Sequence, residues 1–216
     1  MSLESSDMID SQDAWYENIE IAGIGIRRVS KFSRKEFTVE LADIESHWLS
    51  WTEEERNHFA AAFACSPQDR ADDKRQRIVV FLMERGDPAI WRKIALLIAK
   101  YINCDRAVEF LLARVREGVP PLANYYQALA NLQAPECVPT LVESLSKHRA
   151  EVEKHPSLQT WGDRFLYLDF IANSATLFKI TGKDEFRSNL KEMLEHPDKT
   201  VRQMVHTVAQ VSDVTV

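Results

Sequence analysis

The sequence predicts an all-α chain made of successive antiparallel helix pairs, and three observations carry that prediction. Apolar residues recur at three- and four-residue spacing, as one face of a helix requires. Proline and glycine fall between these periodic segments rather than inside them. Segments of one plan then follow each other along the chain, 78–106 and directly after it 107–136, which points to stacked repeats. About 9–10 helices are expected, preceded by an extended N-terminal arm.

The arm, residues 1–36, is divided by charge. Residues 1–26 hold six acids and no Lys or Arg, whereas 27–35 hold five bases (Arg27, Arg28, Lys31, Arg34, Lys35) and no acid. The acidic stretch from Met1 to Asp13 is expected to be disordered. Residues 19–29, IEIAGIGIRRV, alternate in a way that permits a short strand or hairpin. A lone ribbon is barely stable in water, so an extended arm laid over the first helices is the preferred reading.

Helices are expected at 38–49, 53–64, 68–85, 88–101, 105–117, 120–132, 136–153, 160–179, 184–195 and 198–210. Thr52 and Glu55 have capping-box spacing. Asp87-Pro88 and Ser66-Pro67 read as an N-cap followed by proline in the first turn. Gly86 and Gly118 suit left-handed C-caps. The stripes are Ile78, Phe81, Leu82, then Ile90, Ile94, Leu97, Ile98, then Ala107, Phe110, Leu111, Val115. Residues 37–216 are therefore read as one helical-repeat domain. Segments 78–106, 107–136 and 186–211 share a plan: an amphipathic helix, a short turn with Gly or Pro, and a second helix with small residues. Segment 137–185 is longer than its neighbours, and the surplus near 149–162 is read as an insertion between the two helices of its pair.

Two stretches carry a family resemblance. ALANLQAPECVPTLVESL (128–145) resembles the junction between consecutive HEAT repeats, and LEHPDKTVRQMVHTVAQV (194–211) is similar to that family's Asp, Val-Arg, small-residue pattern. The resemblance spans 78–211, with 38–85 as a degenerate first unit or two. It implies a right-handed α–α superhelix of the armadillo-like kind, with second helices on an inner, partner-binding face. It also implies that Asp198 and Arg202 pair across neighbouring units and that Val201, Val205 and Val208 face the core. Trp91 and Ala123 stand where the family's Arg would be expected, a departure that interrupts such a ladder.

Several function classes lose support. The longest purely apolar run, Ile94–Ala99, is far short of the roughly 20 residues a membrane span needs. The stretch from Met1 to Glu20 lacks the basic start and apolar block of a secretory signal, so the cytosol is the default location. Cys65, Cys104 and Cys137 have no paired metal or redox spacing and are read as reduced core thiols. The net charge of −6 opposes nucleic acid and anionic lipid at long range. Phosphate-loop, dinucleotide and nucleophile-elbow motifs are absent. His148, Glu151 and His155 share a helical face, but the two imidazoles would stand about 10 Å apart, too far for joint ligation. Asp163, Asp169 and Glu185 have no spacing that pairs them across a cleft. No metal, cofactor or catalytic residue is expected.

Aromatic and arginine side chains remain as candidates, because they dominate binding hot spots. The partner-binding set is Trp91, Arg92, Tyr125, Trp161, Arg164, Tyr167 and Arg202, with Trp161 foremost because it sits beside Gly162 at the end of a polar stretch. For each aromatic, the competing role is core filler. The expected function is a non-enzymatic protein-binding scaffold whose partner is another protein, a basic surface being the kind that an acidic chain attracts. The alternatives are a HEAT-like enzyme, whose architecture would resemble bilin lyases or alkylpurine DNA glycosylases, and nucleic-acid binding through 27–35. An acidic repeat region counts against a phosphate-tracking groove.

Overall fold

The computed structural model describes residues 16–21, 25–30, 40–65 and 73–216. The expectations for the acidic stretch from Met1 to Asp13, for Lys31, Arg34 and Lys35, and for the Ser66-Pro67 cap lie outside the described residues. Strands β1 (Tyr16–Ile21) and β2 (Gly25–Ser30) pair antiparallel from Tyr16↔Ser30 to Ile21↔Gly25. The hairpin that the alternation permits is thus formed, in place of a single extended arm. Two paired strands satisfy each other's N–H and C=O groups, which a single extended segment cannot do for itself.

From residue 40 onward every described element is helical. The α-helices are α1 (Leu41–His47), α2 (Glu53–Cys65), α3 (Asp73–Arg85), α4 (Pro88–Tyr101), α5 (Cys104–Glu117), α6 (Ala123–Leu132), α7 (Val138–Lys154), α8 (Trp161–Thr181), α9 (Asp184–Leu194) and α10 (Lys199–Ser212). A 3-10 turn at Pro135–Cys137 leads into α7. Helix α6 starts at Ala123 rather than at Pro120, because Pro121 drives the residue before it away from helical backbone angles. The peptide bond between the two prolines is cis. The helices expected at 136–153 and 160–179 form, and the extra length of segment 137–185 lies mostly within them. Helices α7 and α8 run 17 and 21 residues, leaving only 155–160 between them.

The described residues fall into two compact units, Met1–Ile94 and Ala95–Val216. In the first, the Thr52–Glu55 capping box forms as the spacing requires: Thr52 N–H donates to Glu55 Oε2 at 2.7 Å, and Glu55 N–H donates to Thr52 Oγ1 at 3.2 Å. Trp48 meets Phe81 edge-on with ring centroids 5.1 Å apart, and Arg56 lies over Trp48 while its Nε donates to the Trp48 carbonyl at 2.9 Å. Asp87 caps α4, accepting from Ala89 N and Ile90 N at 2.8 and 3.1 Å. Gly86 is not a left-handed cap. A Cβ there would lie 2.4 Å from the Leu82 carbonyl oxygen, so glycine is required by close approach. Gly118 does end α5 in the left-handed conformation, at φ 67°.

The second unit has a layered order. Helices pair as α5·α6, α7·α8 and α9·α10, while α5 also packs on α7, α6 on α8, and α8 on both α9 and α10. Helix α8 therefore has neighbours on every side. Tyr167, Phe170, Ile171, Asn173, Ser174, Ala175, Thr176 and Leu177 are all buried. A helix buried all round has no polar stripe, and its alanines and serine let adjacent backbones approach.

Polar side chains on α8 take up backbone groups of their neighbours. Asp169, fully buried, accepts from Leu122 N at 2.7 Å and Ala123 N at 2.8 Å. Leu122 occupies the N-cap of α6 and has no side-chain oxygen to satisfy those donors, so a carboxylate 47 residues away serves as the cap. Asn173 Nδ2 donates to the Leu141 carbonyl at 2.9 Å, tying α8 to α7. Asp169→Ala strands two helix-terminal N–H groups and should lower unfolding stability by about 3 kcal/mol in chemical denaturation. Gly86→Ala should cost about 2 kcal/mol through its backbone clash, and Gly118→Ala about 1 kcal/mol through left-handed strain.

Candidate functional site

The N-terminal end of α8 gathers the polar and aromatic residues that the core does not absorb. It begins with a capping box: Asp163 N–H donates to Thr160 Oγ1 at 3.1 Å, and Asp163 Oδ2 accepts from Thr160 N at 2.7 Å, Thr160 Oγ1 at 2.9 Å and Gln159 N at 3.0 Å. These bonds, those from the Thr160 backbone and hydroxyl above all, hold the Asp163 carboxyl below the usual carboxylate range. His155 Nδ1 stands 3.5 Å from the other Asp163 oxygen. The short 155–160 connection is thereby fixed at both ends.

Tyr167, one turn beyond Asp163, links this connection to the turn between α9 and α10. Its hydroxyl donates to the His155 carbonyl at 3.0 Å and lies 3.2 Å from His196 Nε2, with the two rings edge-on at 5.1 Å. His196 Nδ1 accepts from Asp198 N at 3.1 Å. The tautomer follows from these partners. A phenol that spends its proton on His155 can only accept from His196, so the imidazole is neutral with its hydrogen on Nε2. Asp198 caps α10 through Thr200 N at 2.7 Å, which chiefly holds its carboxyl low, with Arg164 adding to the effect. Burial, followed by the nearby carboxylates of Asp163 and Asp198, raises the Tyr167 phenol above its ordinary range.

Trp161 opens the helix with 71% of its surface exposed. The Arg164 guanidinium carbon lies 4.8 Å from its ring centroid, one turn along, and Phe165 lies alongside at 6.5 Å. Arg202 donates from Nη1 to the carbonyls of His196 and Pro197, at 2.5 and 2.8 Å. Arg202 thus binds the turn preceding its own helix, and Asp198 caps α10, in place of the cross-repeat pair that the family resemblance implied. Val201 and Val205 are buried as that resemblance implied, and Val208 is half-buried.

The structure therefore brings Trp161, Arg164, Tyr167 and Arg202 together, with Trp161 and Arg164 exposed and Tyr167 as a buried strut. The other three candidates lie apart from them. Trp91 and Arg92 are half-buried on α4, where Trp91 Nε1 donates to the Leu82 carbonyl at 3.2 Å, and Tyr125 is buried in α6. His155, His196, Asp163 and Asp198 were not selected from sequence as site residues. Their signal was present as a repeated His-Pro dipeptide, 155–156 and 196–197, each following a first helix of a pair.

A second polar cluster lies deeper. Tyr126 OH is 2.8 Å from Ser144 Oγ and 2.7 Å from His148 Nε2. Tyr126 is fully buried, and burial pushes its phenol well above the ordinary value. Tyr126 is sealed, whereas Ser144 and His148 are half-buried, and the three side chains are held by one another. The network satisfies its own polar atoms. His148, Glu151 and His155 have separate partners, namely Tyr126, Lys154 at 2.6 Å, and Asp163. Among the described residues no group of three or more His, Cys, Asp or Glu is placed to hold a metal. The thiols depart from expectation, since Cys65 and Cys104 are exposed and only Cys137 is buried, its thiol pushed up to about 11 by burial. Among the described residues no helix is long and apolar enough to cross a membrane.

No family model, curated protein or solved structure matches the chain.

Burial lowers the His148 imidazole to about 4, against an ordinary 6.5 in the unfolded chain. The sign follows from linkage. Between those values the unfolded state binds a proton that the folded state refuses, so this contribution is complete above pH 6.5 and lost as pH falls through 4. It is worth on the order of 3 kcal/mol. The stability difference between the wild type and His148→Gln should therefore shrink as pH falls over that range, and a constant difference would contradict the assignment.

Proposed function

We propose that the chain is a non-enzymatic protein-binding module, a short HEAT-like right-handed superhelix of stacked helix pairs that engages its partner through the Trp161–Arg164 end of α8. The carrying observation is an indole 71% exposed at the first residue of a helix whose middle, residues 169–177, is buried throughout. Covering a tryptophan removes on the order of 200 Å² from water, equivalent to about 5 kcal/mol. That gain is available only to a partner.

The setting favours binding because the platform is organised before contact. The Thr160–Asp163 box, the Tyr167 strut and the Asp198 cap immobilise the backbone beneath Trp161, so little ordering entropy is lost on association. Arg164 adds a guanidinium beside the ring, the pairing of residue types that recurs at hot spots. The layered order of α5 to α10 supports the superhelical reading, since first helices pack on first helices and second on second in part of the unit. The partner is another protein, and a basic surface on it suits a chain of net charge −6. Three free cysteines, two of them exposed, fit a reducing compartment, and the reading includes a cytosolic location.

Affinity capture with the wild-type chain should return a protein in stoichiometric amount. Trp161→Ala should weaken that capture by about thirtyfold or more, and Arg164→Glu should weaken it to a smaller degree. The melting temperature of Trp161→Ala should stay close to that of the wild type, because the indole is already in solvent. Undiminished capture by Trp161→Ala, or capture of no protein at any salt concentration, would refute the reading.

A further inference from the structure

The opposite end of α8 borders a cavity of about 360 Å³, lined by Phe178, Lys179, Arg187, Asp213, Val214 and Thr215. Its walls come from three places in the chain. Phe178 and Lys179 lie in the last turn of α8, Arg187 is on α9, and the tail after α10 supplies the rest. That tail folds back on itself. Asp213 adopts the left-handed conformation at φ 54°, and Val214 N–H donates to the Ala209 carbonyl at 2.9 Å.

The charge of the lining is specific. Among the described residues neither Lys179 nor Arg187 has an ion-pair partner, and the Arg187 Nε–H is buried without a hydrogen bond. The guanidinium carbon lies 5.8 Å from the Phe178 ring centroid, which orients its flat fork. Two cations against the single carboxylate of Asp213 leave one net positive charge. A monoanion matches that charge, whereas a phosphate dianion would be left partly uncompensated. Phe178 and Val214 give the same space an apolar wall, and the volume fits a group about the size of one side chain.

We propose that this cavity binds a carboxylate carried on a small apolar or aromatic group, with Arg187 and Lys179 holding the carboxylate and Phe178 and Val214 holding the apolar part. The carboxylate could belong to a free small molecule or to the C-terminus of a peptide, and the chemistry is the same in both. This site is independent of the Trp161 end of the helix.

The test is an amide chemical-shift titration of the full chain with benzoate, with benzamide as the neutral control, and with a short peptide ending in phenylalanine as free acid or amide. Benzoate should give saturable shifts at Asp213, Val214 and Thr215 that benzamide does not. Arg187→Gln and Lys179→Gln should each weaken that binding by about tenfold, the loss of one charge-assisted hydrogen bond. Using both variants guards against a folding defect in either one. Binding of the free-acid peptide in preference to its amide identifies a protein terminus as the source, and binding of benzoate without the peptide identifies a small molecule. Shifts equal for benzoate and benzamide, no saturation by either carboxylate probe, or undiminished benzoate binding in both variants would overturn the proposal.

Discussion

The second unit depends on a helix that can be buried on every side. A sheath of neighbours around α8 requires small residues where backbones approach and a partner for each polar atom carried inward. Asp169 Oδ1 shows how the second condition is met, while Asn173 Oδ1 and Thr176 Oγ1 are buried without a hydrogen bond and mark where it is not. Desolvating a carboxylate costs several kcal/mol, and two N–H groups at the positive end of α6 offset that cost while being satisfied themselves. The same logic governs Asn173, whose amide engages the Leu141 carbonyl. Polarity in this core is arranged as bonds between helices, so it fixes which helix lies against which.

Helix boundaries were legible because local chemistry sets them. Thr52 with Glu55 and Asp87 before Pro88 act within one turn of chain, and their effect survives any tertiary arrangement. Gly86 was legible as a junction but not as a mechanism, since only the folded backbone reveals that the Leu82 carbonyl leaves no room for a Cβ. The length of segment 137–185 reads as an insertion only by comparison with its shorter neighbours. The helices expected at 136–153 and 160–179 form as α7 and α8, and Arg149 near the end of α7 pairs with Glu153 and Glu192. Long-range capping by Asp169 leaves no local signature at all.

The candidate site was half legible for the same reason. Trp161 stood out because a bulky aromatic beside glycine at a helix start has no packing rationale in sequence. Tyr125 and Tyr167 look alike in sequence and both are buried, but the Tyr167 hydroxyl is spent on two turns. Those turns each carry a His-Pro pair, and proline ends the helix so that the preceding histidine presents its carbonyl or ring to a neighbour. Tyr167 reads one histidine through its backbone and the other through its imidazole, a relation invisible to any spacing rule.

The cap that Asp169 supplies to α6 also bears on how such a chain can change over generations. In an array whose units satisfy their own helix ends, a repeat can be gained, lost or exchanged without harming the next. Here the second helix of one pair caps the second helix of the pair before it, and Tyr167 clasps the pair after it. Removing the 137–185 segment would leave one neighbour uncapped and the other untied. Each of the three pairs from α5 to α10 therefore depends on a neighbour for hydrogen bonds at a helix end or a turn, so deleting one would cost the others stability beyond the core it removes.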